Sequence, residues 1–364
     1  MSFHTKYRPE NLEQIIGHEA AVTRMLGMIK SGKVPSSIAI FGPTSAGKTT
    51  LGRAFAAQVN GLERIGQSRD YIETNAAADK SIESVRQIEQ QSKFRAQHKR
   101  RFILIDEAHG LLSNPQAANA ILKTLEEPAK DTTFIICSME PAKFSATETG
   151  RAMLNRCSQF VLKPHSPKEL LKQAVRIAKR EKMSYVLEEG YTVLKDLVRG
   201  CSEMRTVANM VEALSQYYDG LEKKPKRLTE QQLSDVIAST ESADDALAAT
   251  VMAAVYNLQF KVVQRSLLDV QEPFTFVNKL MWANSYILNS AVLEGKRHRK
   301  VWPSKTAKDL MAAAGSVKLG VLAATNACLV EAKIQIMGAA ASPEEVLSFR
   351  LYRLIIEIKA MVEK

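Results

Sequence analysis

The sequence is short of the residues that staple a chain or turn it repeatedly. Its four cysteines, Cys137, Cys157, Cys201 and Cys328, are scattered and form no CxxC pair. That argues against a zinc site and a disulfide framework, and a reduced, cytoplasmic compartment is expected. The 17 glycines and 12 prolines among 364 residues are too few for a collagenous or low-complexity chain, and low for a turn-dense all-β one. No long apolar run is present. The longest uncharged stretch, Ala246–Phe260, has 15 residues and contains Thr250, Asn257 and Gln259, too short and too polar to span a bilayer. The opening residues carry no apolar signal-peptide core, so neither a membrane nor an export route is expected. Positive charge is what the chain has in excess: 50 Lys and Arg against 39 Asp and Glu leave +11. Such a balance favours polyanionic partners through long-range attraction and counterion release, although many basic proteins bind no nucleic acid.

Between residues 33 and 162, short apolar runs alternate with helical patterns. The runs are Ser37–Phe41, Tyr71–Asn75, Phe102–Asp106, Thr133–Cys137 and Gln159–Leu162. Their Ile, Val and Phe content and their spacing predict βαβ units and a parallel sheet buried on both faces. From Ser166 the strands stop. Ser166-Pro167-Lys168-Glu169 has the cap and first-turn proline of a helix start, and two more helices are expected at about 188–199 and 204–217. Lys223–Arg227 reads as a linker, and Thr229 with Gln232 resembles a capping box opening a further helical domain. The last helix is expected to start at Ser342 and to carry apolar residues at Val346, Phe349, Leu351, Leu354, Ile355 and Ile358. Ala246–Phe260 and Leu280–Leu293 are each expected to form an uncharged helix buried on more than one side.

Two motifs carry the chemistry. Gly42-Pro43-Thr44-Ser45-Ala46-Gly47-Lys48-Thr49 follows one predicted strand directly and precedes a helix, which is the layout a phosphate loop requires. Glycines let consecutive N–H groups turn toward phosphate oxygens, and the helix N-terminus adds positive potential. Lys48 would reach the β- and γ-phosphates and Thr49 would bind Mg²⁺, with Thr50 next in the loop's wall. The second motif, Phe102-Ile103-Leu104-Ile105-Asp106-Glu107, buries a strand and leaves two carboxylates at its C-terminal edge, where ligands of α/β sheets bind. Asp106 would hold Mg²⁺ and Glu107 would polarise the attacking water. Together they describe an ATPase core with ATP and Mg²⁺ as its ligands.

Other residues bring a family into view. Lys6-Tyr7-Arg8-Pro9 followed by Ile15-Ile16-Gly17-His18-Glu19 resembles the KYRP…VVGQE opening of AAA+ clamp-loader ATPases. The run from Asn119 to Pro128 (NAILKTLEEP) is similar to a helix of the bacterial γ/τ subunit, and Asn155-Arg156-Cys157 sits where the family carries Ser-Arg-Cys. The resemblance covers about residues 1–220. It implies a AAA+ domain over 1–163, a helical lid over 164–221, a linker over 222–228 and an all-α collar domain over 229–364. It also implies that Lys6, Tyr7, Arg8 and Pro9, with Ile16, belong to the nucleotide-binding set, the last four lining the adenine pocket. Arg156 would act as an arginine finger on ATP held by a neighbouring subunit. Arg205 would be the second sensor, reporting nucleotide from the lid. Ser138 and Met139 occupy the first-sensor position, where Ser138 can donate a hydrogen bond and Met139 cannot. The four-cysteine zinc insertion of the γ/τ group is absent, so no zinc is expected.

The function implied is that of the ATPase subunit of a replicative sliding-clamp loader, assembled with other subunits in a pentameric ring or spiral. Its partners would be the clamp and primer–template DNA. A AAA+ branch-migration helicase and a non-hydrolysing replisome scaffold are the alternatives. Asn75–Ile82 followed by Val85-Arg86 resembles a stretch of small clamp-loader subunits whose basic residues track template phosphates, which points to Lys80 and Arg86 as DNA contacts. The two are six residues apart, about 240° round a helix, so they share a stripe only if Lys80 precedes the first turn. Phe94, in a polar helix expected over Arg86–Gln97, is either a core residue continuing the Val85 and Ile88 series or an exposed anchor for the clamp.

Overall fold

The computed structural model describes residues 1–66, 68–79, 81–139, 141–187, 191–198, 201, 203–229, 232–233, 236, 243–268, 270, 276–277, 279–281, 283–284, 319–337 and 343–362. These fall into two compact units, Met1–Glu212 and Ala213–Lys364.

The first unit is built on five parallel strands: β1 (Ser37–Phe41), β2 (Tyr71–Asn75), β3 (Arg101–Asp106), β4 (Thr132–Ser138) and β5 (Ser158–Val161). Their order is β2-β3-β4-β1-β5. β1 and β4 are buried along their whole length, which is why they read as unbroken apolar runs rather than as alternation. The pairing aligns Phe41 with Ser138, and Ile105 with Ile136, so the C-terminal ends of the three central strands lie side by side. Helices cover both faces. Helix α1 (Phe3–Lys6) precedes α2 (Glu19–Lys30), and α3 (Lys48–Asn60) lays Leu51 and Phe55 into a core with Ile38, Ile40, Leu104 and Ile135. On the other face, α4 (Ile82–Ser92) and α5 (Pro115–Glu126) contribute Val85, Ile88 and Ile121 to a core with Phe41, Ile103, Ile105 and Phe134. Alternate strand residues thus feed opposite layers, as the period of two requires.

Two short helices, α6 (Pro141–Ala146) and α7 (Glu148–Asn155), lead into β5. Then come α8 (Pro167–Arg180), α9 (Thr192–Val198) and α10 (Met204–Asp219). Helix α8 opens with a full capping box: the Ser166 hydroxyl accepts from the Glu169 N–H, and Glu169 accepts from the Ser166 N–H at 2.6 Å. Two orphan donors of the first turn are satisfied in this way.

Helix α4 differs from the sequence expectation. Ser81 caps it, accepting from the Ser84 N–H at 3.1 Å, and it ends at Ser92 rather than running through Gln97. Phe94 therefore lies beyond the helix and is 63% exposed, so it is no part of the core that holds Val85 and Ile88.

In the second unit, regular structure among the described residues is helical: α11 (Ala243–Tyr256), α12 (Phe260–Leu267), α13 (Leu319–Met337) and α14 (Pro343–Val362). Val251, Val255, Leu322, Leu329, Leu351 and Leu354 share one core. Thr229 and Gln232 exchange the two hydrogen bonds of a capping box. The Ala246–Phe260 stretch is not one helix. It breaks after Tyr256, where Leu258 takes a left-handed φ of 57°, and a new helix starts at Phe260. On α14, Phe349 is exposed while Leu351, Leu354 and Ile358 are buried. At 100° per residue, Phe349 lies about 160° round from Leu351, off the packed face. Residues 285–293 of the Leu280–Leu293 stretch, and Ser342, lie outside the described residues.

Candidate nucleotide site

The loop after β1 is a cradle that side chains would obstruct. A Cβ on Gly42 would come within 2.9 Å of the Leu162 carbonyl oxygen, and Gly47 caps α3 with a φ of +90°. Both positions demand glycine. Lys48, in the first turn of α3, is buried, and its Nζ donates to the carbonyls of Gly42 and Pro43, each at 3.0 Å. Burial lowers its pKa against the opposing pull of Glu107 and Asp106. Lys48 is therefore a desolvated cation folded onto its own loop, and an incoming phosphate would supply the charge it lacks.

At the end of β3, Thr49 Oγ1 donates to Asp106 Oδ2 at 2.6 Å. The pair sets two hard oxygen ligands together beside the loop, the donor set that Mg²⁺ takes with phosphate oxygens. Asp106 Oδ1 accepts from the Glu107 N–H at 3.0 Å. Glu107 stands in the left-handed region at φ +48°, and its Oε2 is buried without a hydrogen bond. Strain and an unsatisfied acceptor at one residue fit a group held for a reactant rather than for the fold.

These groups line one cleft of about 400 Å³, of the size that holds small-molecule ligands. Thr44, Ser45, Ala46, Gly47, Lys48, Thr49, Thr50, Asp106 and Glu107 form its phosphate end. Tyr7, Arg8, Pro9 and Ile16 form the N-terminal wall, and Arg205 enters from α10. Arg8 donates to Thr50 Oγ1 at 3.0 Å, and its pKa is lowered by burial and then by the neighbouring Arg53, with a smaller contribution from Arg205. The cleft therefore gathers Lys48, Arg8 and Arg205, a cation set suited to a polyphosphate.

Some expected residues stand elsewhere. Lys6 is outside the lining: its Nζ bonds Glu181 Oε1 at 2.6 Å, the same oxygen that accepts from the Tyr7 hydroxyl. Tyr7 thus offers its ring to the cleft while its hydroxyl is tied to α8's end. Gly42 and Pro43 act through the carbonyls that hold Lys48. Ser138 is fully buried at the end of β4, with His109 Nδ1 3.2 Å from its hydroxyl. Arg156 ends α7 away from the cleft, paired with Glu126 at 2.5 Å. Arg86 is exposed on α4, and Lys80 lies outside the described residues.

Three histidines of the site escaped the sequence reading. His18 Nε2 donates to the Ala46 carbonyl at 2.9 Å, and His165 packs against His18 with ring centroids 4.8 Å apart. His109 stands two residues after Glu107 in the run Asp-Glu-Ala-His. That adjacency was the signal available for His109, and His18 lies within the Ile15–Glu19 run that carries the resemblance.

One comparison, the family-model match, falls within the first unit. Residues 17–165 match the family model described as DNA polymerase III, delta subunit. Replication factor C subunit 3 of Schizosaccharomyces pombe is 29% identical over 221 residues, covering 60% of each chain. DNA polymerase III subunit gamma/tau of Mycoplasma genitalium is 26% identical over 234 residues, covering 60% of this chain and 38% of that protein. The chain thus spans less than two thirds of the length of either relative. The Thermotoga maritima RuvB Holliday junction branch migration motor is similar in structure at 14% identity, with a TM-score of 0.53 over 69% of this chain and 80% of that one. This last likeness is one of fold.

Proposed function

We propose that this AAA+ protein of the clamp-loader family is an ATP-hydrolysing subunit of a sliding-clamp loader. The observation that carries the reading is the convergence of Lys48, Asp106, Glu107 and the lid's Arg205 on one cleft. On nucleotide binding, Lys48 exchanges two loop carbonyls for phosphate oxygens. Thr49 and Asp106 would hold Mg²⁺, which would offset the negative charge of the bound nucleotide. The Glu107 carboxylate, whose Oε2 makes no hydrogen bond, accepts from the attacking water and orients it. Arg156 leaves Glu126 and reaches ATP on a neighbouring subunit, where its guanidinium stabilises charge in the transition state. Among the described residues the arginines lining the cleft are Arg8 and Arg205 and not Arg156, so in this reading turnover depends on assembly.

In this reading, primer–template DNA lies along Arg86 and Lys80, and the clamp receives Phe94. The replication relatives favour a clamp loader over the branch-migration alternative, whose likeness is confined to fold. Steady-state ATP hydrolysis with and without primed DNA and a sliding clamp tests the proposal. Turnover should rise when both are added to the assembled complex. In Glu107→Gln, nucleotide should still bind while turnover falls by about 10²–10⁴-fold. Near-normal hydrolysis by that variant sinks the assignment.

A further inference from the structure

Glu107 does not stand alone at the end of β3. The 3₁₀ turn that follows, Ala108–Ser113, brings His109 back beneath it. The turn is pressed close: a Cβ on Gly110 would come within 2.4 Å of the Ala76 carbonyl oxygen, so the backbone carrying His109 has little freedom. His109 Nδ1 lies 3.4 Å from Glu107 Oε2 and 3.2 Å from Ser138 Oγ. Ser138 in turn accepts at its backbone carbonyl from the Gly42 N–H, at 3.3 Å. Gly42 is the first residue of the phosphate loop and holds Lys48 through its own carbonyl. A continuous path therefore runs from loop to water-orienting carboxylate: Lys48, Gly42, Ser138, His109, Glu107.

One ring nitrogen sits between two oxygens and can form a well-aligned hydrogen bond with only one of them at a time. It is within reach of the Ser138 hydroxyl, and Glu107 Oε2 makes no hydrogen bond.

We propose that His109 is a positioning residue for ATP hydrolysis, linking the orientation of Glu107 to the phosphate loop through Ser138. This rests on the ATPase reading given above. When Lys48 leaves the Gly42 carbonyl for a phosphate, the Gly42–Ser138 connection relaxes. His109 then turns its Nδ1–H from Ser138 to Glu107 Oε2, fixing that carboxylate so that its other oxygen faces the water. His109 touches neither nucleotide nor water and acts through Glu107.

The experiment is a double-mutant cycle on the assembled complex, reading turnover, nucleotide affinity and melting temperature. His109→Ala should lower kcat by about 10- to 100-fold, the usual effect of a misplaced reacting group. Nucleotide affinity, measured with a fluorescent ATP analogue, should stay within about twofold. His109→Asn, whose amide N–H superimposes on Nδ1–H, should recover part of the loss. In the Glu107→Gln background, His109→Ala should cost nothing further, because the carboxylate it orients is gone. Full turnover by His109→Ala beside an inactive Glu107→Gln overturns the His109 proposal alone. An active Glu107→Gln overturns the ATPase reading itself. Two other results also refute the link: losses that multiply in the double variant, or a His109→Ala protein that loses nucleotide binding along with turnover.

Discussion

Truncating Phe94 separates folding from recognition because the ring is 63% exposed. Its one aromatic contact is with the Arg101 guanidinium, whose carbon lies 6.0 Å from the ring centroid. A Phe side chain offers roughly 200 Å², so about 125 Å² remains to be covered. At about 25 cal/mol per Å², burial against a partner is worth about 3 kcal/mol, or a little over 10²-fold in Kd. The loop bearing the ring is already fixed. Asp70, fully buried, accepts from the backbone N–H of Gln97 at 2.9 Å and of His98 at 2.6 Å, and its other oxygen lies 3.4 Å from Arg101 Nη2. Arg101 also donates to the Gln91 and Arg95 carbonyls, at 3.3 and 3.4 Å. Little ordering entropy remains to be lost on docking. Phe94→Ala should therefore move the melting temperature by less than about 2 °C, since surface truncations stay near 0.5 kcal/mol. Clamp affinity, measured by surface plasmon resonance or fluorescence anisotropy, should fall by about 10²-fold with basal hydrolysis unchanged. A melting temperature lowered by several degrees with clamp affinity intact would refute both the exposure argument and the anchor.

Arg156→Ala should leave nucleotide affinity of the isolated chain unchanged and lower turnover by about 10³-fold only in the assembled complex, where a finger acts in trans. Loss of turnover in the isolated chain as well would mean that Arg156 serves its own subunit. Arg86→Glu should weaken primed-DNA binding and reduce the slope of log K against log salt by about 0.7–0.9, the loss of one phosphate contact; an unchanged slope removes Arg86 from the DNA path. Burial by itself would raise the Asp70 pKa, but the Gln97 and His98 N–H groups, the His98 ring and Arg101 outweigh it and hold the carboxyl below its ordinary value. Asp70 thus binds protons more readily unfolded, and the stability it contributes is present above about pH 4 and is lost as pH falls through its folded value. Asp70→Asn should cost about 3 kcal/mol near neutral pH, by breaking a buried pair, and should flatten the fall in melting temperature between about pH 5 and 3. A parallel fall in both proteins would deny Asp70 that role.

The central strands were legible because they are short apolar runs buried along their length, and all five strands appear within a residue of their expected bounds although β2 and β5 are largely open. The phosphate loop and the Asp106–Glu107 pair were legible for a different reason: their chemistry is contiguous in sequence. The helix ends were less so. Leu258 takes a left-handed conformation with no glycine or proline to announce it, so two helices read as one. Helix α4 stops at Ser92, whose hydroxyl turns back to the Glu89 carbonyl at 2.7 Å, a competition with the backbone that a serine in a polar helix does not advertise. Phe94, left open by the sequence between a core place and an exposed anchor, stands on the surface.

What the sequence hid most completely is what the sheet assembles from distant segments. Asp70 precedes β2 and Arg101 opens β3, and their parallel pairing aligns Tyr71 with Phe102, so a buried ion pair forms 31 positions apart. Ser138 and His109 are 29 apart and meet because β3 and β4 are neighbours. Neither pair has any local spacing to detect. The same adjacency brings the Asp106–Glu107 end of β3 and the loop after β1 within reach of one residue although β4 lies between their strands. Ser138, ending that intervening strand, is in reach of Gly42 on one side through its backbone and of His109 on the other through its hydroxyl. A residue with no side-chain acceptor there would keep the backbone link and lose the second. Serine at the end of β4 is thus suited to linking the two halves of the site, while Met139 beside it accepts at its sulfur from the Thr44 hydroxyl of the loop at 2.8 Å.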